Sequence, residues 1–199
     1  MRKQEIAAYF DRAAPTWDAE MIRSDAVIAE ILDDARVYAG RDVLDVACGT
    51  GVLIPDYLAR GVRSVTAIDL SEQMARIAHE KFADDARVRI LCGDAEMLDG
   101  PPRFDCILIY NAFPHFPDPQ RLLRRLIALL RPQGTLTVAH GMSREQIDGH
   151  HGESGAGSVS RGLLSEKVLA ALFELHGLEV AVRVSDERRY QVTGVLTKS

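Results

Sequence analysis

The sequence predicts an α/β fold: a doubly wound, mostly parallel seven-stranded sheet with an antiparallel last strand and helices on both faces. Three observations predict it. Short apolar runs alternate with stretches carrying apolar residues at three- and four-residue spacing, the mark of strands and amphipathic helices in turn. The apolar runs end repeatedly in polar or small residues, which would gather at one edge of a parallel sheet. The last two strand-like runs, 178–184 and 189–197, are separated only by Ser185-Asp186-Glu187-Arg188, which suits an antiparallel hairpin at a sheet edge.

The chain has 199 residues, 47% hydrophobic and 27% charged, an ordinary balance for one domain spanning 1–199 with a single core. Its net charge of −5 disfavours nucleic acid and anionic lipid as partners. Cys48, Cys92 and Cys106 lie in or at the ends of apolar runs with no C-x-x-C pair, which fits a reduced cytoplasm. No apolar h-region follows Met1-Arg2-Lys3, and no run approaches membrane-spanning length.

Residues 1–40 read as a helical preamble: Ile6, Tyr9, Phe10 and Ala13 share a face, Pro15-Thr16-Trp17 interrupts, and Val27, Ile28, Ile31 and Leu32 begin a second stripe. The core, 41–140, opens with a strand over 42–47 and a helix from near Val52 to Arg60, ended by Gly61. Strand two, 64–68, ends at Asp69, and Ser71 caps a helix carrying Met74, Ile77, Ala78 and Phe82. Strand three, 88–92, runs into Gly93-Asp94-Ala95-Glu96. Strand four, 104–110, leads through Asn111–Pro117 to a leucine-striped helix over 119–131, whose arginines form its solvated outer face. Strand five is 135–139. Residues 141–163, rich in Gly, Ser and His, break the rhythm as a loop suited to substrate selection. Order returns in 164–199 with a helix capped by Ser165 and the edge hairpin.

The turn after strand one carries the chemistry. A dinucleotide site would show G-x-G-x-x-G, but the register from Gly49 gives Gly49, Gly51 and Ile54. Asp45 places a carboxylate at the turn, which repels a pyrophosphate and suits a ligand bearing cationic groups. The Lys and Ser/Thr of a P-loop are absent too. A nicotinamide oxidoreductase is thereby disfavoured.

Asp45-Val46-Ala47-Cys48-Gly49-Thr50-Gly51 resembles motif I of the class I S-adenosylmethionine-dependent methyltransferases, and the resemblance extends over about residues 40–140. It implies a Rossmann-like sheet with an antiparallel strand inserted near its end. It also implies a cofactor, S-adenosylmethionine, held by Asp45, Ala47, Gly49 and Gly51 at the first turn. Asp69, with Leu70 and Met74 beside it, matches the acidic residue that takes the ribose hydroxyls. Asp94 matches the one that reaches the adenine amino group, with Ala95 next to it, and Asn111 lies where the family's backbone touches the methionine moiety. The segment Tyr9-Phe10-Asp11-Arg12-Ala13-Ala14-Pro15-Thr16-Trp17-Asp18 is similar to the lid of small-molecule methyltransferases of the quinone C-methylase type, which implies that Tyr9 and Trp17 shield the sulfonium. The blander readings are that Asp69 and Asp94 are helix caps or turn residues, and that Tyr9 and Trp17 are core aromatics.

The expected function is methyl transfer to a small-molecule acceptor by in-line displacement, with carbon, oxygen, nitrogen and sulfur acceptors all open. The lack of Asn/Asp-Pro-Pro-aromatic after strand four argues against nucleic-acid or protein amides. His115 and His140 are the candidate catalytic residues. His140, His150 and His151, with Glu153, raise a divalent metal that their spacing does not support; substrate contact and a plain solvated loop are the other readings of that stretch. Monomer and homodimer are both open. The rival from another class is a non-catalytic S-adenosylmethionine-binding sensor or partner subunit.

Overall fold

The computed structural model describes residues 2–147 and 159–197. At its centre lies β1, Asp42–Val46, all of whose residues are buried. Parallel strands flank it on both sides, β2 (Ser64–Asp69) and β4 (Phe104–Tyr110), so that Leu44 sits opposite Thr66 on one side and Ile107 on the other. A strand enclosed in this way needs apolar residues toward both faces, which is why Val43, Leu44 and Val46 run almost without interruption.

With β3 (Val88–Cys92), β5 (Leu130–His140), β6 (Leu178–Ser185) and β7 (Tyr190–Leu196), the sheet has seven strands in the order β3-β2-β1-β4-β5-β7-β6. From β1 the chain builds outward through β2 to β3, then returns to lay β4 on the other side of β1. The loops leaving β1 and β4 therefore diverge, and a crevice opens at their carboxyl ends. β7 runs antiparallel to both neighbours, Val138 facing Val192 in β5 and Arg183 facing Val192 in β6. The edge hairpin is thus present, with its second strand inside the sheet.

Period-two alternation divides the core. Leu44, Val46, Ile107, Ile109, Leu136 and Val138 face one layer, packed by α6 (Pro119–Ile127) and α7 (Glu166–Leu175). Val43, Val65, Ala67, Cys106 and Leu108 face the other, packed by α3 (Asp25–Asp34) and α4 (Ile54–Ala59). The Ser71 hydroxyl accepts from Met74 N at 3.1 Å and starts α5 (Glu72–Phe82), while Ser165 caps α7 through Val168 N.

The end of α6 and the start of β5 differ from the sequence reading. α6 ends at Ile127 rather than near Arg131, because Leu130 pairs with Phe104 and the Leu129 carbonyl accepts from Arg103 N and Phe104 N. The leucine periodicity continues past the helix because Leu129, in the turn, and Leu130, the first residue of β5, are both buried. In the loop after β5, Ser143 and Gln146 cap one another, Ser143 N donating to Gln146 Oε1 at 3.0 Å and Gln146 N to Ser143 Oγ at 3.2 Å. His150, His151 and Glu153 lie outside the described residues.

Candidate functional site

The turn leaving β1 is built from left-handed residues. Ala47, Gly49 and Gly51 have φ of 56°, 56° and 86°, and Cys48 N donates to Ile68 O, tying the turn to β2. Gly51 is required by both conformation and space, since a Cβ there would lie 2.6 Å from the Phe82 ring. Gly51 therefore packs the turn on α5 and does not line the cleft, contrary to its expected place around the cofactor. Gly49 does line it, under the Trp17 indole. α4 starts only at Ile54, so the turn extends further than the sequence suggested.

Three carboxylates reach the crevice from three successive strands. Asp45, 2% exposed, is pushed up to about 7, by burial first and then by the Asp69 carboxylate, with the phenol of Tyr57 acting weakly the other way. Among the described residues no Lys or Arg pairs with it. Asp69 accepts from Gly49 N at 2.8 Å on one oxygen and Ser71 N at 2.8 Å on the other; burial raises its pKa and these N–H donors oppose the rise. The turn role and the ligand role are compatible, because each carboxylate oxygen has a second lone pair. Asp94 Oδ1 accepts from Glu96 N at 3.0 Å as the cap of a short turn, and Oδ2 receives Lys3 Nζ at 2.7 Å.

The cleft, with the open solvent at its mouth included, takes in about 1080 Å³. On the acidic side it is lined by Asp45, Ala47, Gly49, Asp69, Asp94 and Ala95, with Leu70 and Met74 at the α5 end. The apolar part of the lining is formed by Phe10, Trp17 and Met21 of the N-terminal segment and by Phe116 and Pro117 after β4. Tyr110, Asn111 and His115 line the cleft too. Asn111, with φ of 53°, accepts from Gly141 N and holds the loops after β4 and β5 together. His115 Nδ1 lies 2.8 Å from Val159 O; a carbonyl only accepts, so Nδ1 carries a proton. The thiol of Cys48 also lines the cleft, but burial holds its pKa well above the ordinary value and keeps it unreactive.

Besides Gly51, two further expected residues are displaced from the cleft. Tyr9 packs edge-on against Phe10 at 5.2 Å and leaves the lining to Lys3, Ile6, Ala7 and Phe10, because α1 (Lys3–Ala13) turns that stripe inward. His140 is 3% exposed at the end of β5, against the Tyr190 ring at 5.9 Å, and does not line the cleft. No cluster of His, Cys, Asp and Glu able to hold a metal occurs among the described residues. Lys3, Phe10, Met21, Tyr110 and Phe116 were missed as lining residues. The i, i+3, i+4, i+7 spacing of Lys3, Ile6, Ala7 and Phe10 is the signal that would have found the first two.

A seven-stranded sheet of this order, with a glycine turn and strand-end carboxylates on its crevice, defines the Rossmann-like methyltransferase fold. Known proteins agree. The family model for a methyltransferase domain matches residues 43–134. A ubiquinone biosynthesis O-methyltransferase of Coxiella burnetii (strain Dugway 5J108-111) is 32% identical over 142 residues, 67% of this chain and 60% of that protein. A malonyl-[acyl-carrier protein] O-methyltransferase of Priestia megaterium (strain DSM 319 / IMG 1521) is 27% identical over 152 residues, 73% of this chain and 55% of that protein. The chain thus spans little more than half the length of these curated relatives. Among solved structures, magnesium protoporphyrin IX methyltransferase from Synechocystis PCC 6803 with bound SAH superposes with a TM-score of 0.73 at 17% identity, over 98% of this chain and 99% of that one. The chain belongs to the class I S-adenosylmethionine-dependent methyltransferases. Among the described residues no helix is long and apolar enough to cross a membrane.

Proposed function

We propose that the chain transfers the methyl group of S-adenosylmethionine to a hydroxyl of a small, mostly apolar acceptor. One observation carries the reading: a buried carboxylate without a cation, Asp45, shares a single cleft with two further strand-end carboxylates and an apolar wall bearing one histidine. The residues present fit the cofactor. Asp45 lacks a positive charge that an α-ammonium group supplies, Asp69 keeps lone pairs for ribose hydroxyls, and Asp94 presents a carboxylate fixed by its own cap to an adenine amino group. The cofactor supplies an electrophilic methyl on a sulfonium, open to in-line displacement by a nucleophile on its far side.

The protein's part is to align that nucleophile, exclude water and take a proton. Phe10, Trp17, Met21 and Phe116 make the apolar side of the cleft, suited to a planar or aliphatic acceptor rather than a phosphorylated one. His115 Nε2 takes the hydroxyl proton, since Nδ1 is committed to the Val159 carbonyl. An oxygen acceptor is favoured by the O-methyltransferase relatives of Coxiella burnetii and Priestia megaterium, and a hydroxyl among oxygen acceptors by this base. The chain works as a single domain in the cytoplasm, as monomer or homodimer, consistent with three cysteines that form no disulfide. The test is a transfer screen with labelled S-adenosylmethionine over phenols, quinols, aliphatic carboxylic acids, thiols and amines. Turnover of a phenol or quinol supports the reading; turnover restricted to amines or thiols overturns the hydroxyl assignment. Cofactor binding with no transfer to any class supports a sensor or partner subunit instead.

A further inference from the structure

Resting on that functional reading, we infer that the N-terminal segment is a working part of the cofactor site: Lys3, Asp11 and Asp18 are positioning residues, each holding one of the three loops that follow β1, β2 and β3. Asp18 Oδ1 accepts from Thr50 Oγ1 at 2.5 Å, in the turn after β1, and its other oxygen pairs with Lys81 Nζ at 2.5 Å. Asp11 Oδ1 accepts from Ser71 Oγ at 2.6 Å and Gln73 N at 3.1 Å, in the loop after β2 and the first turn of α5. Lys3 Nζ lies 2.7 Å from Asp94 Oδ2 and 2.8 Å from Glu96 Oε2, in the loop after β3.

Each clasp does a different physical job. Asp11 supplies α5 with an acceptor for an N–H that has no partner inside the helix, so the amino end of α5 is completed by a residue 62 positions away. Lys3 stands between two carboxylates, one of them 2% exposed, whose mutual repulsion would otherwise turn Asp94. Asp18 fixes the turn whose Gly49 lies under Trp17, and Phe10 completes the segment, its ring centre 5.7 Å from that of Trp17 and 5.0 Å from that of His115, both edge to face. A cover would need only apolar contact. Polar clasps on three separate loops make the segment a frame as well, which sets the spacing of Asp69, Asp94 and the glycine turn before the cofactor arrives. Asp11 and Asp18 sit on either side of the Pro15 break, so the motif over residues 9–18 delivers one carboxylate to each of two loops.

The experiment uses the full chain with Lys3→Met, Asp11→Asn and Asp18→Asn, and Lys3→Arg as the conservative control. Hydrogen exchange is followed without ligand, S-adenosylmethionine affinity by calorimetry, and kcat at saturating cofactor. The expected result is faster exchange confined to the loop each residue holds (residues 71–74 for Asp11→Asn), an affinity weakened about tenfold, kcat within twofold in Asp11→Asn and Asp18→Asn, and recovery of affinity in Lys3→Arg. Unchanged exchange, or faster exchange with unchanged affinity, overturns the inference, because the segment would then be a cover alone. If the unsubstituted chain takes up no S-adenosylmethionine, the functional reading has failed first, and that failure is seen before any variant is compared.

Discussion

Replacing Asp45 by Asn should stabilise the ligand-free protein and at the same time weaken cofactor binding. Ionisation of Asp45 is held off to about 7 against an ordinary 3.8. At ~1.4 kcal/mol per unit, keeping this carboxylate charged in the fold costs about 4 kcal/mol. A folded pKa above the unfolded one gives a contribution that is full below pH ~4 and lost as pH rises through ~7. Asn carries no such penalty at any pH, so the difference from the unsubstituted chain should be near zero at pH 4 and reach about 4 kcal/mol at pH 8. For a domain of this size that is a rise in Tm of about 10 °C. The opposite holds with cofactor: without the anion, affinity for S-adenosylmethionine should fall about a hundredfold, as for a lost charge-assisted bond of ~3 kcal/mol. Differential scanning fluorimetry at pH 4 and pH 8, with and without cofactor, reads both effects. A variant that melts at or below the unsubstituted chain at pH 8 would refute the claim that Asp45 is a burdened anion awaiting a cation.

Asp69→Ala removes the acceptor of Gly49 N and Ser71 N at once; it should lower stability by ~2 kcal/mol and cofactor affinity by more than a hundredfold, read by denaturant melts and calorimetry. His115→Gln should lower kcat about a hundredfold or more with cofactor affinity unchanged, since Gln offers no basic nitrogen; unchanged kcat would place the base elsewhere. Gly51→Ala and Gly49→Ala form a pair: the first meets Phe82 at 2.6 Å and should cost ~3 kcal/mol, the second has only the Trp17 edge at 3.5 Å and should cost ~1 kcal/mol. Equal destabilisation would mean that positive φ alone, and not the packing on α5, sets the glycine requirement.

What was legible in the sequence depended on whether the signal was local. β1 was readable because a strand buried on both faces must be apolar, and Asp45 because it interrupts that run beside a glycine turn. The hairpin was readable from a short polar connection, and Ser71 and Ser165 from cap position. The α6 boundary was not, since Leu129 and Leu130 continue a helical period while being held by Arg103 and Phe104 at the start of β4. Tyr9 and Phe10 are neighbours in sequence, and only the docking of α1 on the cleft decides which ring faces in. His140 was placed correctly at a strand end, but its burial against Tyr190 depends on β7, more than forty residues on. Lys3, Asp11 and Asp18 gave no local sign, because their partners are 32 to 93 residues away.

The central claim is that this crevice is built for a cationic nucleoside rather than a pyrophosphate, and calorimetry on the unsubstituted full chain tests it most directly. With S-adenosylmethionine, S-adenosylhomocysteine and NAD titrated separately at pH 8, the first two should bind and NAD should give no heat. Binding of NAD with neither adenosyl ligand bound would contradict the account at its root.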